Sequence, residues 1–386
     1  MKILFVTTDW NTPYRIATGE YGGVSYYRAY GPAKALKKLG HDVDVIGYHL
    51  SVMVDKTDPF KSYKKIFSEY DAVVFKQIDT QNGGRVLGAC KEVGVPVIMD
   101  LDDLITELDP DNPAVEQGYE QGGKKQALAI ASLSMCDALF VSTQPLADEY
   151  TKVLKDVYDL DTPIFVLPNC CDYDLWKRQK REKDEWTIIG WHGSITHDKD
   201  IALVIPPIKR LLLKYPKLVF SLTGGIRQET YDNLLVKGFG KKVIDRVVIN
   251  TGTQSYNKFP EYLARHQWDF AIAPLKDTKF TRGKSHIKWL ENSLLRVATI
   301  ASDTYPYSEP IHGVETIIDG KTGLLASNEK EWEEKIELLI NDERKRYYLA
   351  RDAHRFVLEN WQYDNFIHLW EEALQSVITR GSNTTL

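Results

Sequence analysis

Residues 22–47 read GGVSYYRAYGPAKALKKLGHDVDVIG, and this stretch decides the fold. Apolar residues recur at helical spacing through Val24–Leu39, and Gly40 follows where such a helix would end. The apolar run Lys2–Thr7 precedes the helix, and a second run, Asp42–Gly47, follows it. A strand, a helix and a second strand in this order predict a parallel sheet covered by helices.

The same rhythm continues to about residue 170 and then restarts, so the sequence predicts two doubly wound α/β domains in tandem. We place the first domain at 1–170, the second at 171–360 and a terminal helical segment at 361–386. Helices are predicted at Ile201–Leu213 and Ser285–Arg296, and the tail from about residue 329 is expected to be helical. The other predicted strands are Ala72–Gln77, Val95–Asp100, Ala138–Ser142, Ile164–Leu167, Trp186–Trp191, Leu218–Thr223, Arg246–Asn250, Trp268–Pro274 and Thr299–Ser302.

Length and composition agree with this organisation. The chain has 386 residues, more than the roughly 250–300 that one hydrophobic core usually supports. Hydrophobic residues make up 43% and charged residues 27%, which is ordinary for a globular protein. No apolar run approaches the ~20 residues of a transmembrane helix, and Lys2–Val6 is too short for a signal-peptide core. We therefore expect a cytoplasmic protein without a transmembrane segment.

Charge and cysteine content exclude several classes of function. Residues 1–170 carry 17 Lys and Arg against 24 Asp and Glu, which argues against a duplex-DNA surface or a polybasic membrane patch there. We expect no nucleic-acid partner. None of the four cysteines forms a CxxC pair, so they predict reduced thiols and no zinc site.

A candidate anion site follows the buried strand Phe270–Leu275 and a polar loop. It begins with Gly283-Lys284-Ser285, where a helix is predicted to start. Ser285 could cap that helix, and Gly283 would let the backbone approach a ligand closely. The free amide groups and the dipole at a helix start favour an anion.

Lys284, Lys288 and Glu291 are spaced so that they could share one face of that helix. Lysines could hold a diphosphate and stabilise the charge that develops when a sugar–phosphate bond breaks, and a carboxylate one turn further could accept ribose hydroxyls. A solvated face with paired charges would give the same spacing. A P-loop is disfavoured because Thr278 stands where its first glycine belongs.

A second candidate site lies at the end of the predicted strand Val95–Asp100. Its carboxylates are Asp100, Asp102 and Asp103. They could orient acceptor hydroxyls, cap the following segment, or bind a divalent cation such as magnesium or manganese. The residues alone leave these three readings open.

Short segments along nearly the whole chain form an ordered series of motifs. In this order and spacing they resemble the GT-B glycosyltransferases of glycosyltransferase family 4, the group 1 enzymes. The segments are Gly22-Gly23 before a helix, Lys38–Val43, Pro168–Asp172, Ile189–Ser194 with His197 and Asp200, Leu222–Gly225, Gly283–Glu291, Thr299–Asp303 and Asp319–Leu325.

The resemblance implies a GT-B fold of two Rossmann-like domains facing an interdomain cleft, with the last helix crossing back to the first domain. It implies retaining transfer of a sugar from a nucleoside-diphosphate sugar, without a required metal or other cofactor. The acceptor would be a glycan, a lipid-linked molecule or a small molecule bound by the first domain, and the second domain would bind the donor. The sequence does not predict the oligomeric state.

The residue types and the resemblance together give the candidate site residues. Lys284 and His197 are the catalytic candidates, and the loop with Gly22 and Gly23 approaches the donor phosphate or the acceptor. The acceptor-side candidates are Asp100, Asp102 and Asp103. The donor-binding candidates are Gly193, Ser194, Lys199, Gly283, Lys284, Ser285, Lys288 and Glu291.

One position departs from the family pattern. The first of the family's paired glutamates would stand at position 283, where this chain has Gly283. Two other functions remain open on the same fold. One is a sugar-nucleotide epimerase, and the other is a non-catalytic protein that binds a nucleotide sugar or a glycan. A dinucleotide oxidoreductase is disfavoured because residues 7–11 lack the GxGxxG pattern after the first strand.

Overall fold

A computed structural model describes residues 1–7, 21–47, 55, 57–110, 112, 114–176, 185–194, 197–225, 228–252 and 255–383. The chain divides into two compact units. The first unit comprises Met1–Cys171, Gly283–Ser285 and Tyr363–Leu386. The second unit comprises Asp172–Arg282 and His286–Gln362. Each unit contains one parallel sheet flanked by helices, so the predicted doubly wound α/β fold is confirmed.

The first sheet has six parallel strands in the order β2-β1-β3-β4-β5-β6. The direction of strand addition reverses between β1 and β3, and ligands of such sheets bind at the carboxyl ends of the strands beside that switch point. The strands are β1 (Lys2–Thr7), β2 (Asp42–Gly47), β3 (Ala72–Lys76), β4 (Val97–Leu101), β5 (Ala138–Val141) and β6 (Ile164–Val166).

The helices of the first unit lie between these strands. A short helical turn, Gly23–Ser25, continues through a π-helical segment, Tyr26–Tyr30, into α1, and π segments of this kind are frequent at functional sites. The longer helices are α1 (Gly31–Lys38), α2 (Pro59–Phe67), α3 (Gly83–Glu92), α4 (Lys124–Leu133) and α5 (Gln144–Tyr158).

The second sheet also has six parallel strands, in the order β12-β11-β10-β7-β8-β9. Its switch point therefore lies between β7 and β10. The strands are β7 (Thr187–Gly193), β8 (Leu218–Gly224), β9 (Val247–Asn250), β10 (Phe270–Ala273), β11 (Ala298–Ser302) and β12 (Leu324–Ala326). The longer helices are α6 (Ile205–Lys214), α7 (Phe259–Ala264), α8 (Ile287–Leu294), α9 (Glu329–Asn341) and α10 (Glu343–Asn360).

The last helix, α11 (Tyr363–Asn383), packs in the first unit. The fully buried Trp370 ring lies 6.0 Å from the ring of Phe5 and 5.6 Å from that of Phe140. The hydroxyl of Tyr363 donates a 3.0 Å hydrogen bond to the Tyr27 carbonyl. A side chain at Gly31 would collide with the Tyr363 ring, so the close approach of α11 requires glycine there.

The structure corrects one prediction about the start of α8. Ser285 was expected to cap this helix, but the N-cap position is His286, and no side chain makes a capping hydrogen bond there. The Ser285 hydroxyl instead accepts a 2.8 Å hydrogen bond from Asn169 Nδ2. Because α8 begins at Ile287, Lys284 is not on the helix, and only Lys288 and Glu291 of the predicted trio are helical.

Among the described residues, none of the helices combines the length and the apolar character that crossing a membrane would need.

Candidate functional site

In the second unit, polar side chains gather beside the switch point between β7 and β10. His192 and Gly193 end β7, and Lys276 follows the carboxyl end of β10. Gly193 lies tightly against the backbone of Gly224, where φ is +126°, and a side chain at Gly224 would overlap the Gly193 carbonyl. The two glycines therefore bring the ends of β7 and β8 together.

Glu291 lies on α8 and is only 3% exposed. Its Oε1 accepts a 2.7 Å hydrogen bond from the hydroxyl of Tyr256, and its Oε2 lies 3.5 Å from His192 Nδ1. The Tyr256 ring packs against Trp176 and Phe259, which holds the hydroxyl in place. The Tyr256 hydroxyl, which is held by neighbouring aromatic rings, thus orients the carboxylate of Glu291.

His192 is neutral at pH 7. Burial and the positive charge of Lys288 lower the pKa of its imidazole to about 3. The ring stacks on Trp268, with the ring centroids 5.9 Å apart and the planes 11° from parallel. Its contact with Glu291 is therefore one between a neutral imidazole and a carboxylate, and no ion pair forms. His192 shapes the surroundings of Glu291 without offering a positive charge to a ligand.

A chain of polar contacts connects Lys276, Asp200, His197 and Lys288. Asp200 Oδ1 accepts a 2.7 Å hydrogen bond from the Lys276 amide, and Asp200 Oδ2 lies 2.6 Å from His197 Nδ1. His197 Nε2 lies 3.2 Å from the Lys288 ammonium. Because an ammonium only donates, Nε2 must accept and Nδ1 must carry the proton that Asp200 accepts. His197 is thereby fixed as a neutral ring that orients the cation of Lys288.

The remaining donor candidates of the second unit lie near this chain. Ser194 follows β7, is exposed, and its carbonyl accepts a 3.4 Å hydrogen bond from the His197 amide. Lys199 is exposed on the short helix Asp198–Ala202, beside Asp200.

Gly283, Lys284 and Ser285 belong to the first unit. The Thr143 hydroxyl donates a 3.0 Å hydrogen bond to the Gly283 carbonyl, and Asn169 binds Ser285 as described above. The Lys284 ammonium lies 2.5 Å from Asp103 Oδ1. These contacts fix both the backbone and the charged group of this three-residue segment.

The three carboxylates that are candidates for acceptor binding are each paired with a different cation. Lys284 pairs with Asp103, and the ammonium of buried Lys76, at the end of β3, lies 2.5 Å from Asp102 Oδ1. Burial alone would raise the pKa of Asp102, but the charge and hydrogen bond of Lys76 together with the charges of Lys284 and Arg28 outweigh burial and hold that pKa below its ordinary value. Separate pairing offsets the repulsion that remains between neighbouring carboxylates such as Asp100 and Asp102.

Asp100, at the end of β4, pairs with Arg28 of the π-helical segment, and both side chains are almost fully buried. Arg28 Nη2 lies 2.7 Å from Asp100 Oδ2, and Arg28 also donates to the Leu167 carbonyl and to Asn169 Oδ1. One guanidinium thus connects the π-helical segment, β4 and the chain after β6. Asn169 carries this chain of contacts on to Ser285.

Gly22 and Gly23 begin the helical turn that precedes this π-helical segment, and both are half-buried. The Gly22 carbonyl accepts a 3.0 Å hydrogen bond from the Tyr26 amide. Residues 8–11, which were noted above for lacking the GxGxxG pattern, lie outside the described residues.

Sequence reasoning missed Arg28, Lys76, Asn169 and Tyr256. Two of them left a readable signal, because Arg28 lies among apolar residues of a buried helical stripe and Lys76 ends an otherwise apolar strand. Tyr256 left none, since its partner is 35 residues away. Within the described part of the chain, no group of three or more His, Cys, Asp or Glu side chains is arranged to hold a metal ion.

No protein-family model matches the chain, and no curated protein sequence matches it. Solved structures do match. HepE from Anabaena, solved in complex with UDP-glucose, superposes with a TM-score of 0.63 at 15% identity, covering 97% of this chain and 100% of HepE.

Two further matches have similar extent. Sucrose-phosphate synthase from Thermosynechococcus elongatus gives a TM-score of 0.65 at 12% identity and covers 98% of this chain and all of that one. A glycosyltransferase from Rickettsia africae ESF-5 gives 0.62 at 14% identity, with 98% of each chain covered. The neighbours are GT-B glycosyltransferases, and the fold of this chain is GT-B.

Proposed function

We propose that the chain is a glycosyltransferase of the family 4 type that moves a hexosyl group from a nucleoside-diphosphate sugar to an acceptor hydroxyl, with retention of configuration. The observation that carries the proposal is the pair Lys288 and Glu291 on α8, beside the switch point of the second sheet. This pair combines a positioned cation with a positioned carboxylate, which are the groups that a diphosphate and a ribose diol require. The likeness to HepE, whose structure holds UDP-glucose, puts UDP-sugars first among the donors.

In this proposal the second unit binds the nucleotide. Glu291 accepts hydrogen bonds from the ribose hydroxyls, and Tyr256 keeps its carboxylate in one orientation. Lys288 binds the diphosphate, and neutral His197 directs the ammonium toward it. Gly193, Ser194 and Lys199 line the loop and helix that follow β7, where backbone amides and a further cation are available to the donor.

Lys284 is the proposed catalytic cation. An ammonium near the departing diphosphate stabilises the negative charge that grows as the bond from sugar to phosphate breaks. Gly283 and Ser285 hold Lys284 in place through Thr143 and Asn169. Gly22 and Gly23 would allow the donor phosphate or the acceptor to approach the backbone closely. The reaction needs no metal in this scheme, because lysines supply the positive charge.

The first unit binds the acceptor in this proposal. Asp103 is the best placed of the three carboxylates, since its side chain is 39% exposed whereas that of Asp100 is 1% exposed. The exposure of the Asp102 side chain lies between these two values. Asp100 contributes indirectly, because it holds Arg28 in position. Paired carboxylates and lysines bind sugar hydroxyls as well as other polyols, so the acceptor is a glycan, a lipid-linked glycan or a small hydroxylated molecule.

The test combines donor binding with turnover. UDP-, GDP-, ADP- and dTDP-sugars are screened by thermal shift, and a donor at ~100 times its Kd should add roughly 2.7 kcal/mol of stability. The variants Lys288→Met and Glu291→Gln should remove most of that shift. Lys284→Ala should lower the rate of sugar transfer, or of donor hydrolysis where no acceptor is present, at least about 100-fold. Lys330→Ala, on the 83% exposed Lys330 of the second unit, is the matched control. The absence of a shift with every donor would refute the proposal.

A further inference from the structure

The second unit contains a cavity of about 770 Å³ at a different place in the fold. Helix α10 supplies most of its lining. Asp269, which immediately precedes β10, and Arg296, which lies just before β11, also line it. Both positions are at the amino-terminal edge of the sheet, opposite the edge where Lys288 and Glu291 lie. The volume is within the roughly 300–1,000 Å³ of typical ligand sites.

The charges around the cavity balance. Four arginines line it, and four carboxylates lie in its lining or against those arginines. Arg346 lies 3.8 Å from Asp269, and Arg351 lies 2.7 Å from Asp352. Three of the carboxylates line the cavity, and the fourth, Asp352, lies outside the lining beside Arg351 and Arg355. Counted together, these groups leave no net positive charge for a phosphate-rich ligand. Guanidinium and carboxylate groups in equal number match a neutral ligand with many hydroxyl groups, each of which both donates and accepts.

Two tyrosines give the cavity aromatic surfaces. Tyr347 is 63% exposed and Tyr173 is 37% exposed, and both line the cavity. The Tyr173 ring is held edge-on against buried His354, with the centroids 5.7 Å apart. Nδ1 of His354 donates a 3.0 Å hydrogen bond to the Ser293 carbonyl, which fixes the imidazole. A tyrosine presents an apolar face and a polar tip, as the two sides of a sugar ring require.

The backbone of Arg296 adopts a left-handed conformation that is unfavourable for residues other than glycine. It follows the end of α8 with φ = +57°, and its amide donates a 3.0 Å hydrogen bond to the Ser293 carbonyl. Glycine is the residue usually found at such a left-handed helix end, and other L-residues pay roughly 1–2 kcal/mol there. A long cationic side chain is therefore kept where glycine would fit more easily, and that side chain lines the cavity.

We propose that this cavity binds a neutral oligosaccharide, with Tyr173 and Tyr347 stacking on sugar rings and Arg296, Arg355 and Glu359 bonding to hydroxyl groups. The site is separate from the sugar-transfer site proposed above, and the proposal does not depend on transfer. If the chain is a glycosyltransferase, a glycan held here would raise the effective concentration of the acceptor.

The test measures binding by the full chain to cellotetraose, maltotetraose and chitotetraose, using calorimetry and saturation-transfer NMR. We expect one of them to bind with a Kd of about 1 mM or tighter. Arg296→Gly should weaken that binding about tenfold while leaving the melting temperature unchanged or raised, because glycine relieves the left-handed backbone. Tyr347→Ala should weaken binding similarly, because it removes a ring that would stack on a sugar. The helix itself should persist, since alanine is a strong helix former.

Two controls separate this site from others. Arg344→Ala removes an exposed positive charge from α10 outside the cavity lining and should leave binding intact. Lys288→Met, designed to remove donor binding, should also keep it. Failure of all three tetrasaccharides to bind, binding that survives Arg296→Gly and Tyr347→Ala, or displacement of the sugar by inorganic pyrophosphate would each overturn the proposal.

Discussion

The hydroxyl of Tyr256 and the carboxylate of Glu291 are joined by a 2.7 Å hydrogen bond inside the second unit. This bond takes one oxygen of a side chain that is 3% exposed, so the orientation of the other oxygen depends on it. A nucleotide bound through Glu291 would meet a carboxylate that is already positioned.

We expect Tyr256→Phe to weaken donor binding about five- to tenfold, because one hydrogen bond to a charged group contributes about 1–2 kcal/mol. Calorimetric titration with the donor found in the screen measures the change. Tyr262→Phe is the control, since the hydroxyl of Tyr262 donates a long, 3.5 Å hydrogen bond to the Asn250 carbonyl in the same unit. Equal affinities in the parent and Tyr256→Phe would show that Glu291 does not contact the nucleotide.

Substitution of Arg28 should destabilise the first unit strongly. Arg28→Ala leaves the carboxyl group of Asp100 buried without its guanidinium partner, and breaking a buried pair in this way typically costs about 3–5 kcal/mol. Arg28→Lys should recover only part of this, because an ammonium cannot reproduce bonds to Asp100, Leu167 and Asn169 together. Urea unfolding measures both.

The double variant Arg28→Met with Asp100→Leu serves as the control for this pair. Replacing both charges by apolar groups removes the uncompensated carboxylate, so the double variant should be more stable than Arg28→Ala. A double variant that is less stable than either single one would contradict this account of the pair.

His286 should make the second unit sensitive to acid. The side chain is fully buried and packs 4.1 Å from the Trp361 ring, and burial lowers the pKa of its imidazole to about 3. Between pH 6.5 and that value the unfolded chain binds a proton that the folded chain does not, so stability falls as the pH falls. His286→Leu should flatten this dependence by up to about 1.4 kcal/mol per pH unit. Parallel unfolding curves for parent and variant between about pH 4 and 7 would contradict it.

Trp370→Ala should cost about 3–5 kcal/mol, because it empties a fully buried site between Phe5 and Phe140. Glu372→Ala, at an exposed position two residues along α11, should change stability by less than about 0.5 kcal/mol. Chemical denaturation of both variants provides the comparison. A small effect of Trp370→Ala would mean that α11 contributes little to the core of the first unit.

Removal of divalent cations should leave sugar transfer intact, because Lys284 and Lys288 supply the positive charge in the proposed mechanism. Activity is measured with excess EDTA and again after manganese is added. Loss of activity with EDTA and its recovery with manganese would require Asp102 and Asp103 to be reinterpreted as cation ligands.

The sequence predicted the central strands of the sheets well because strands such as β3 and β10 are buried on both faces and consist largely of apolar residues. Strands β1 and β2 match their predicted bounds. The three-residue strand β12, Leu324–Ala326, was not predicted, since so short a run has no detectable period. The start of α8 was misplaced because Ser285 suits an N-cap in isolation, whereas its hydroxyl binds Asn169 in the folded chain.

The candidate site was less predictable than the fold. Lys288 and Glu291 follow from spacing along one helix, but their partners His197 and Tyr256 lie 91 and 35 residues away. The pairing of Asp102 with Lys76 likewise joins the residue that follows β4 to the last residue of β3. Contacts of this kind depend on strand order, which local sequence patterns do not contain.

The place of α11 in the first unit has a consequence for synthesis on the ribosome. The core around Phe5 and Phe140 receives Trp370 only after nearly the whole chain has emerged. The second unit, which ends at Gln362, is complete earlier. The unit translated first is therefore the last to be finished, although domains generally fold from the amino terminus onward during translation. Until Trp370 is in place, Phe5 and Phe140 lack this ring contact in the nascent chain, and exposed apolar surface of this kind is what chaperones bind.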